Sequence, residues 1–434
     1  MSANPKPRFL EVWLHGRHTG WLCELGGTTR FLAAENYMLD SQRQTLSLSM
    51  TMPRAEWLSQ KVLGNRFDPA LYSERGELPP FFAGLLPEGP LKRRLAVTRR
   101  HGVDRDDFGI LAAAGEDLPG AVKILPAEPA RLTPMVRAYG VVGGIRGFEV
   151  GAVEGATQGS ASLAGMHNKL ALSSTSDGKQ FTLPIRGVLS DTVAKLPVTD
   201  DDTHVMNEFV CMQLAALAGV DIASCRPVSM LAMVDQPDMI EAFGAKTRFL
   251  AIDRFDRGPN GALHIEDGCQ LMTLMPARKY ESRERFTDLA GLLNLLSLRG
   301  IEDVRQLFVR RVVNTLLGNS DDHLKNFSVI YRDGINPELA PAYDITCVSA
   351  LPGFRGFAFN MEIDRSQRAE TLETYGAMAK KAGIAERIVK VVVKNTVSRA
   401  QELWPNALRN LDAPAAVRDH ILHRLGSLPV TKGR

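Results

Sequence analysis

Three oxygen-bearing side chains, Asp321, Asn326 and Asp344, stand at a spacing that suits phosphoryl transfer. Residues 318–331 read GNSDDHLKNFSVIY, and within them Asp321 and Asn326 have the D-x-x-x-x-N spacing of a kinase catalytic loop. In that chemistry the carboxylate takes the proton of the attacking hydroxyl and the amide oxygen holds a metal ion. Asp344, in Tyr343-Asp344-Ile345, supplies a third oxygen ligand. Between Asn326 and Asp344 lie an apolar, β-prone run at 327–331, turn residues at 332–334 and 336–337, and a second short strand at 339–342. Such a hairpin folds the chain back, so that Asp344 faces Asp321 and Asn326 across a site for Mg²⁺ and ATP.

Each residue alone also has a plainer reading. Asn-Ser-Asp-Asp after an apolar helix can be only a cap and a turn, because these side chains bond locally to backbone. Asn326 can simply begin a strand, and Asp344 can be a turn residue or a helix cap. His323 is carried as a nucleotide-contacting candidate, although a histidine in such a place is more often a hydrogen-bonded structural residue. The conjunction of three metal-capable oxygens around one hairpin favours the catalytic reading.

The elements that must hold these groups are legible upstream. Val304, Leu307, Phe308, Val312 and Leu316 keep a helical stripe that Gly318 stops just before the loop. Residues 193–196, Val-Ala-Lys-Leu, read as a strand carrying Lys195 inside an apolar run, and the helical pattern at 207–218 offers Glu208. A strand lysine oriented by a glutamate from the next helix is how a kinase neutralises the α- and β-phosphates. At a sheet edge Lys195 would instead hold its ammonium in water. Residues 226–234 and 248–252 are further strands, the second running into Asp253-Arg254-Phe255, a strand end where a hinge would meet adenine. Glycine is dense at 140–165, which includes Ser160, Ser162 and Gly165. Its backbone amides could approach phosphates, but it has no Walker lysine and no strict G-x-G-x-x-G, so it also fits a flexible interdomain loop. A hairpin at 169–173 and 180–183 follows.

Farther back, strands at 8–14 and 21–25 flank a His15-Gly16-Arg17 turn, and the alternation of Leu46, Leu48, Met50 and Met52 predicts another strand of the same small sheet. Short helices are expected after Pro79 and at 106–114, and a strand at 120–125. The Pro-rich stretch from Pro126 ends a first domain at about residue 130, which divides the chain into 1–130, 131–260 and 261–434. Segments at about 367–382, 384–404 and 414–426 continue as amphipathic helices, with the β-branched run 388–393 an ambiguous part.

Composition narrows the class. The chain has 434 residues, is 44% hydrophobic and carries Lys+Arg 52 against Asp+Glu 49. That size allows more than one core, and a net charge of +3 does not support a broad nucleic-acid footprint. Lys92-Arg93-Arg94 is read as a solvated helix face. The five cysteines, Cys23, Cys211, Cys225, Cys269 and Cys347, are widely spaced without C-x-x-C, which suggests neither disulfides nor a zinc site. With no membrane-length apolar run and no signal-peptide core, a cytoplasmic protein is expected.

The passages LLPEG, GEDLPGAV, SLAGMHNKLAL, AKLP, DRFDR, HIEDGCQ, KYE, GNSDDHLKNFS and AYDI resemble those of HipA-family serine/threonine kinases, the toxins of bacterial toxin–antitoxin pairs, over nearly the whole length. The resemblance implies an α+β fold, with a two-lobed kinase-like body behind an N-terminal β-rich subdomain and a mostly helical C-terminal lobe. It implies Asp321 as base, Asn326 and Asp344 on Mg²⁺, Lys195 on the ATP phosphates, Asp253 to Phe255 beside adenine, and Ser162 as an autophosphorylated serine. Met166, His167 and Asn168 depart from the family pattern of that loop. It implies as partners a small DNA-binding antitoxin of the HipB type, with DNA reached only through it, and a protein substrate, in known members an aminoacyl-tRNA synthetase. A small-molecule kinase and a regulatory pseudokinase are the competing readings.

Overall fold

Alternating apolar and polar residues build the first sheet. In the computed structural model, which describes residues 6–88, 92, 106–134, 136–137, 153, 169–185, 187–234, 236–280, 285–351 and 370–433, β1 (Arg8–Leu14) and β2 (Arg17–Leu25) form an antiparallel pair. Their two-residue connection has φ of 48° at His15 and 76° at Gly16, the mirror-image turn whose twist matches that of the strands. β3 (Thr28–Ala33), β4 (Tyr72–Ser73) and β5 (Val122–Pro126) complete the order β4-β3-β2-β1-β5. The inner face packs Phe9, Leu22, Phe31, Phe81, Phe82 and Phe108 into one core. Asp106 caps the helix Asp107–Ala114 by accepting from the Gly109 amide.

The strand expected around Leu46 to Met52 is absent. That stretch runs as turns, yet Leu46, Leu48 and Met50 are still buried. Its polar groups find a partner other than a neighbouring strand: the Glu266 carboxylate accepts from the Ser47 hydroxyl at 2.7 Å and from the Leu48 amide at 2.9 Å. Tyr331 donates its hydroxyl to the same carboxylate, and the ring of His264 stacks on Tyr331 while its Nε2 bonds to the Leu46 carbonyl at 2.8 Å.

These two buried groups give opposite pH dependences. Burial pushes the Glu266 carboxyl up from 4.5 to about 7, against the hydrogen bonds from Tyr331, Leu48 and Ser47. Folding therefore takes up a proton there between those values, and the stability it adds at low pH is lost as pH rises towards 7. Burial pushes His264 down from 6.5 to about 4, so its stabilising contribution is present above 6.5 and lost as pH falls. Each amounts to about 2 kcal/mol between pH 5.0 and 7.5, and they nearly offset. Glu266→Gln removes only the first, so on going from pH 5.0 to 7.5 the variant should gain about 2 kcal/mol of stability relative to wild type. Urea unfolding followed through the fluorescence of Trp13, Trp21 and Trp57 checks this, and the same pH profile in variant and wild type would contradict it.

The chain divides into two compact units. One comprises Met1–Val193, Asp256–Pro276 and Tyr331–Ile335, and the other Ala194–Phe255, Ala277–Ile330 and Asn336–Arg434. The first also holds the antiparallel pair β6 (Lys169–Ser174) and β7 (Phe181–Thr182), a hairpin expected from the sequence. In the second, β8 (Thr192–Lys195), which enters it at its C-terminal end, lies beside β10 (Arg248–Asp253), and β10 pairs in turn with β9 (Cys225–Ser229). The helix Thr203–Leu217 packs on this sheet.

The rest of the second unit is helical. Ile301–Leu317 ends at Gly318, whose φ of 74° suits glycine, and a Cβ there would lie 2.0 Å from the Ser349 hydroxyl. The β-branched run 388–393 lies inside the helix Glu386–Asn410, because Val389, Val393, Thr396, Val397, Ala400, Trp404 and Leu408 form one buried stripe. Packing of that stripe outweighs the weak helix propensity of valine. Among the described residues all five cysteines are free, and no helix is long and apolar enough to cross a membrane.

Candidate active site

The loop after Gly318 is held by its own asparagines. Asn319 accepts the Asp321 amide on its side-chain oxygen at 3.2 Å and donates its side-chain nitrogen to the Asn314 side chain at 3.1 Å. The Asp321 carbonyl receives the His323 amide at 2.8 Å and the Asn326 side-chain Nδ2 at 2.9 Å. A single 3₁₀ turn, Leu324–Asn326, closes the loop. The structure thus brings Asp321 and Asn326 together, and with Nδ2 committed to the backbone the Asn326 amide oxygen is the end left to face a cation.

The neighbouring carboxylate has a different fate. Asp322 is fully buried and takes a 2.5 Å ion pair from Arg311, which also reaches Glu370 at 3.1 Å. Asn314 donates to Asp322 as well, at 3.3 Å. Asp322 therefore anchors the loop from beneath, while the partly exposed Asp321 faces outwards.

The expected hairpin is present as Ser328–Tyr331 and Glu338–Leu339, antiparallel with Val329 opposite Leu339. It leads to Tyr343, whose hydroxyl donates to the Lys325 carbonyl at 2.8 Å and shares a 2.6 Å hydrogen bond with Ser328. The ring of Phe255 stacks on Tyr343 with centroids 5.7 Å apart. Asp344 follows with φ of 60°, a left-handed conformation that aspartate tolerates better than most residues. Backbone of this kind is concentrated at functional sites.

Lys195 unites the remaining pieces. Its ammonium sits 2.5 Å from both oxygens of Glu208 on the helix Thr203–Leu217 and also contacts Asp344. Burial by itself would lower the lysine, but the charges of Asp344 and Glu208 outweigh it and hold Lys195 above the ordinary value, fully protonated. The solvated edge position is thereby excluded, since Lys195 is only 5% exposed. Asp344 is less enclosed, its side chain 23% exposed. An amide oxygen and a carboxylate oxygen are the hard donors that suit Mg²⁺, so Asn326 and Asp344 are the residues that would hold it.

The other candidates sort as follows. His323 is buried, and its Nδ1 has no hydrogen-bond partner among the described residues. Burial and the charge of Lys279 lower its basicity, against the opposing charges of Asp321 and Asp344, so both carboxylates act on this one ring. Asp253 ends β10 with its carboxylate 3.0 Å from Arg226, and Phe255 reaches the site through its stack on Tyr343. Ser162 and Gly165, with Met166, His167 and Asn168, lie outside the described residues.

Reading residue by residue missed several participants. Tyr280 donates its hydroxyl to Asp321 Oδ1 at 2.8 Å and sets its ring edge on His323. The roles of Tyr343, Arg311 and Glu370, and of Asp322 as a buried anchor rather than a cap or turn residue, are likewise absent from the sequence reading. The sequence marks Tyr280 only as part of the short KYE passage, and Arg311 reads as an ordinary polar residue on an amphipathic helix.

Comparison with known proteins meets this geometry. The HipA N-terminal domain model matches residues 10–125 and the HipA-like C-terminal domain model matches residues 161–404. The chain is 34% identical over 424 residues to "Putative kinase Y4dM" of Sinorhizobium fredii, covering 96% of each chain. The chain belongs to the HipA family. It is also 28% identical over 307 residues to the serine/threonine-protein kinase toxin HipA of Shewanella oneidensis, covering 64% of this chain and 65% of the toxin. The HipA structure solved from Shewanella oneidensis with HipB and operator DNA superposes with a TM-score of 0.65 at 19% identity, covering 98% of this chain and 96% of that one. The HipA fold, α+β with a β-rich N-terminal region and a helical C-terminal region, is therefore the fold of this chain, as the sequence led us to expect.

Proposed function

We propose that this HipA-type chain is an ATP- and Mg²⁺-dependent serine/threonine protein kinase that acts as the toxin of a toxin–antitoxin pair. The observation that carries the reading is Lys195 held between Glu208 and Asp344, in the same compact unit as the Asp321–Asn326 loop. Lys195, kept protonated, would pair with the α- and β-phosphates. Asn326 and Asp344 would hold Mg²⁺, which when bound neutralises charge on the phosphates. Asp321 would accept the proton of the attacking hydroxyl, and the strand end Asp253 to Phe255 would border adenine. Ser162 is proposed as an autophosphorylation site, and a HipB-like DNA-binding protein as the antitoxin. The protein substrate is proposed to belong to the translation machinery, with an aminoacyl-tRNA synthetase as the first candidate.

Incubating the purified protein with γ-labelled ATP and a bacterial lysate tests the reading. A discrete labelled protein band that requires Mg²⁺ and disappears on chelation is the expected result. Label confined to small molecules would move the function to a small-molecule kinase, and no transfer at all would leave a regulatory pseudokinase that serves only as a binding module.

A further inference from the structure

The hydroxyl of Tyr280 stands where a kinase's acceptor hydroxyl is needed. It donates to Asp321 Oδ1 at 2.8 Å, and among the described residues it is the side-chain donor to that carboxylate. A base must lie within hydrogen-bond reach of the proton that it removes, so the oxygen that Tyr280 holds is one to which a substrate hydroxyl would have to donate. Yet Tyr280 is not built into the core: it is 50% exposed. Its ring sets an edge on His323 with centroids 5.2 Å apart, and the Lys279 ammonium lies 5.3 Å from its centroid.

We propose that Tyr280 is a latch on Asp321, which holds Oδ1 and weakens the carboxylate as a base towards water until an acceptor protein displaces the phenol. The proposal rests on Asp321 being the base of an ATP-dependent kinase. Water is always the more abundant acceptor, and a kinase that leaves its base open hydrolyses ATP. In that side reaction a water oxygen forms a bond to the γ-phosphorus, the bond from that phosphorus to the bridging oxygen of ADP breaks, and the water's proton passes to Asp321. A phenol donating to Oδ1 occupies that oxygen and, by stabilising the anion, makes the carboxylate a weaker base, which slows the last of these transfers. A protein acceptor overcomes this because its docking displaces the exposed tyrosine and brings its own hydroxyl to the vacated oxygen, so specificity is obtained through closure rather than through pocket size. Tyr280 is thus a positioning residue acting through Asp321, and only its hydroxyl is required.

The test compares wild type, Tyr280→Phe, Asp321→Asn and the double variant, measuring phosphate release from Mg²⁺-ATP without any acceptor protein. Phenylalanine keeps the ring on His323 and removes only the donor. Loss of one hydrogen bond to a charged group should raise the kcat of hydrolysis by about tenfold. The KM for ATP should stay unchanged, and Asp321→Asn should abolish the gain in the double variant. A Tyr280 that merely supports the fold would give no gain in kcat. Hydrolysis by Tyr280→Phe at or below the wild-type rate, while wild type still phosphorylates protein, overturns the latch alone. No ATP binding by any of the four forms overturns the kinase reading and the latch with it.

Discussion

Asp321→Asn is expected to lower phosphoryl transfer to protein by about 100-fold or more while ATP affinity and thermal stability stay near wild type. The amide keeps the shape of the carboxylate and can still accept from Tyr280, and the loop's hydrogen bonds to residue 321 use its backbone rather than its side chain. What disappears is the capacity to take a proton, an effect that belongs to kcat. Lys195, Glu208 and Asp344 are untouched, so nucleotide binding persists. Single-turnover transfer from labelled ATP, with a parallel ATP titration, separates the two quantities. Full activity would remove Asp321 from its role, and Asp322 could not inherit it: that carboxylate is wholly buried against Arg311.

The largest stability effect should come from Arg311→Met. Arg311 has a side chain only 2% exposed and pairs with Asp322, 0% exposed, and with Glu370, 14% exposed, on which Arg424 also acts. Burial opposes its charge, but Asp322, Glu370 and Tyr375 hold the guanidinium more strongly protonated than an ordinary arginine. Methionine fills much of the volume, takes from Asp322 its ion-pair partner and leaves Glu370 with the charge of Arg424. Breaking a buried pair from one side costs about 3–5 kcal/mol. Denaturant unfolding followed through Trp404, buried in this unit with its indole N–H on the Leu214 carbonyl at 2.8 Å, reports the loss. Replacing Asp322 by Asn in the same chain should recover part of it, because a neutral amide needs no cation. A loss under about 1 kcal/mol would mean that water or a rearranged side chain reaches the cluster.

How far the sequence could be read depended on whether the signal was local. The β1–β2 hairpin, the Gly318 stop and the 328–339 hairpin are written in turn residues and apolar periods a few positions apart, and all are present. Lys195 and Glu208 were paired from their order along the chain, and they meet. The strand expected near Leu48 failed because its alternation was real but its partner was not a strand: Glu266, more than two hundred positions later, satisfies its backbone and hydroxyl groups. Tyr280 on Asp321 and Arg311 under Asp322 were invisible for the same reason. Such contacts depend on which loop end or helix face meets which, and no spacing along one segment encodes that.

The backbone at Asp344 also decides which substitutions are informative there. With φ at 60°, this position favours Asn, Asp or Gly, and any residue with an ordinary side chain adds conformational strain. Alanine at 344 would therefore confound two losses, the carboxylate and an easily kept main-chain geometry, and valine would confound them further. Asparagine alone subtracts the charge and leaves the bend, which makes it the interpretable control for this oxygen. The same geometry also makes position 344 less permissive to random mutation than a position with negative φ.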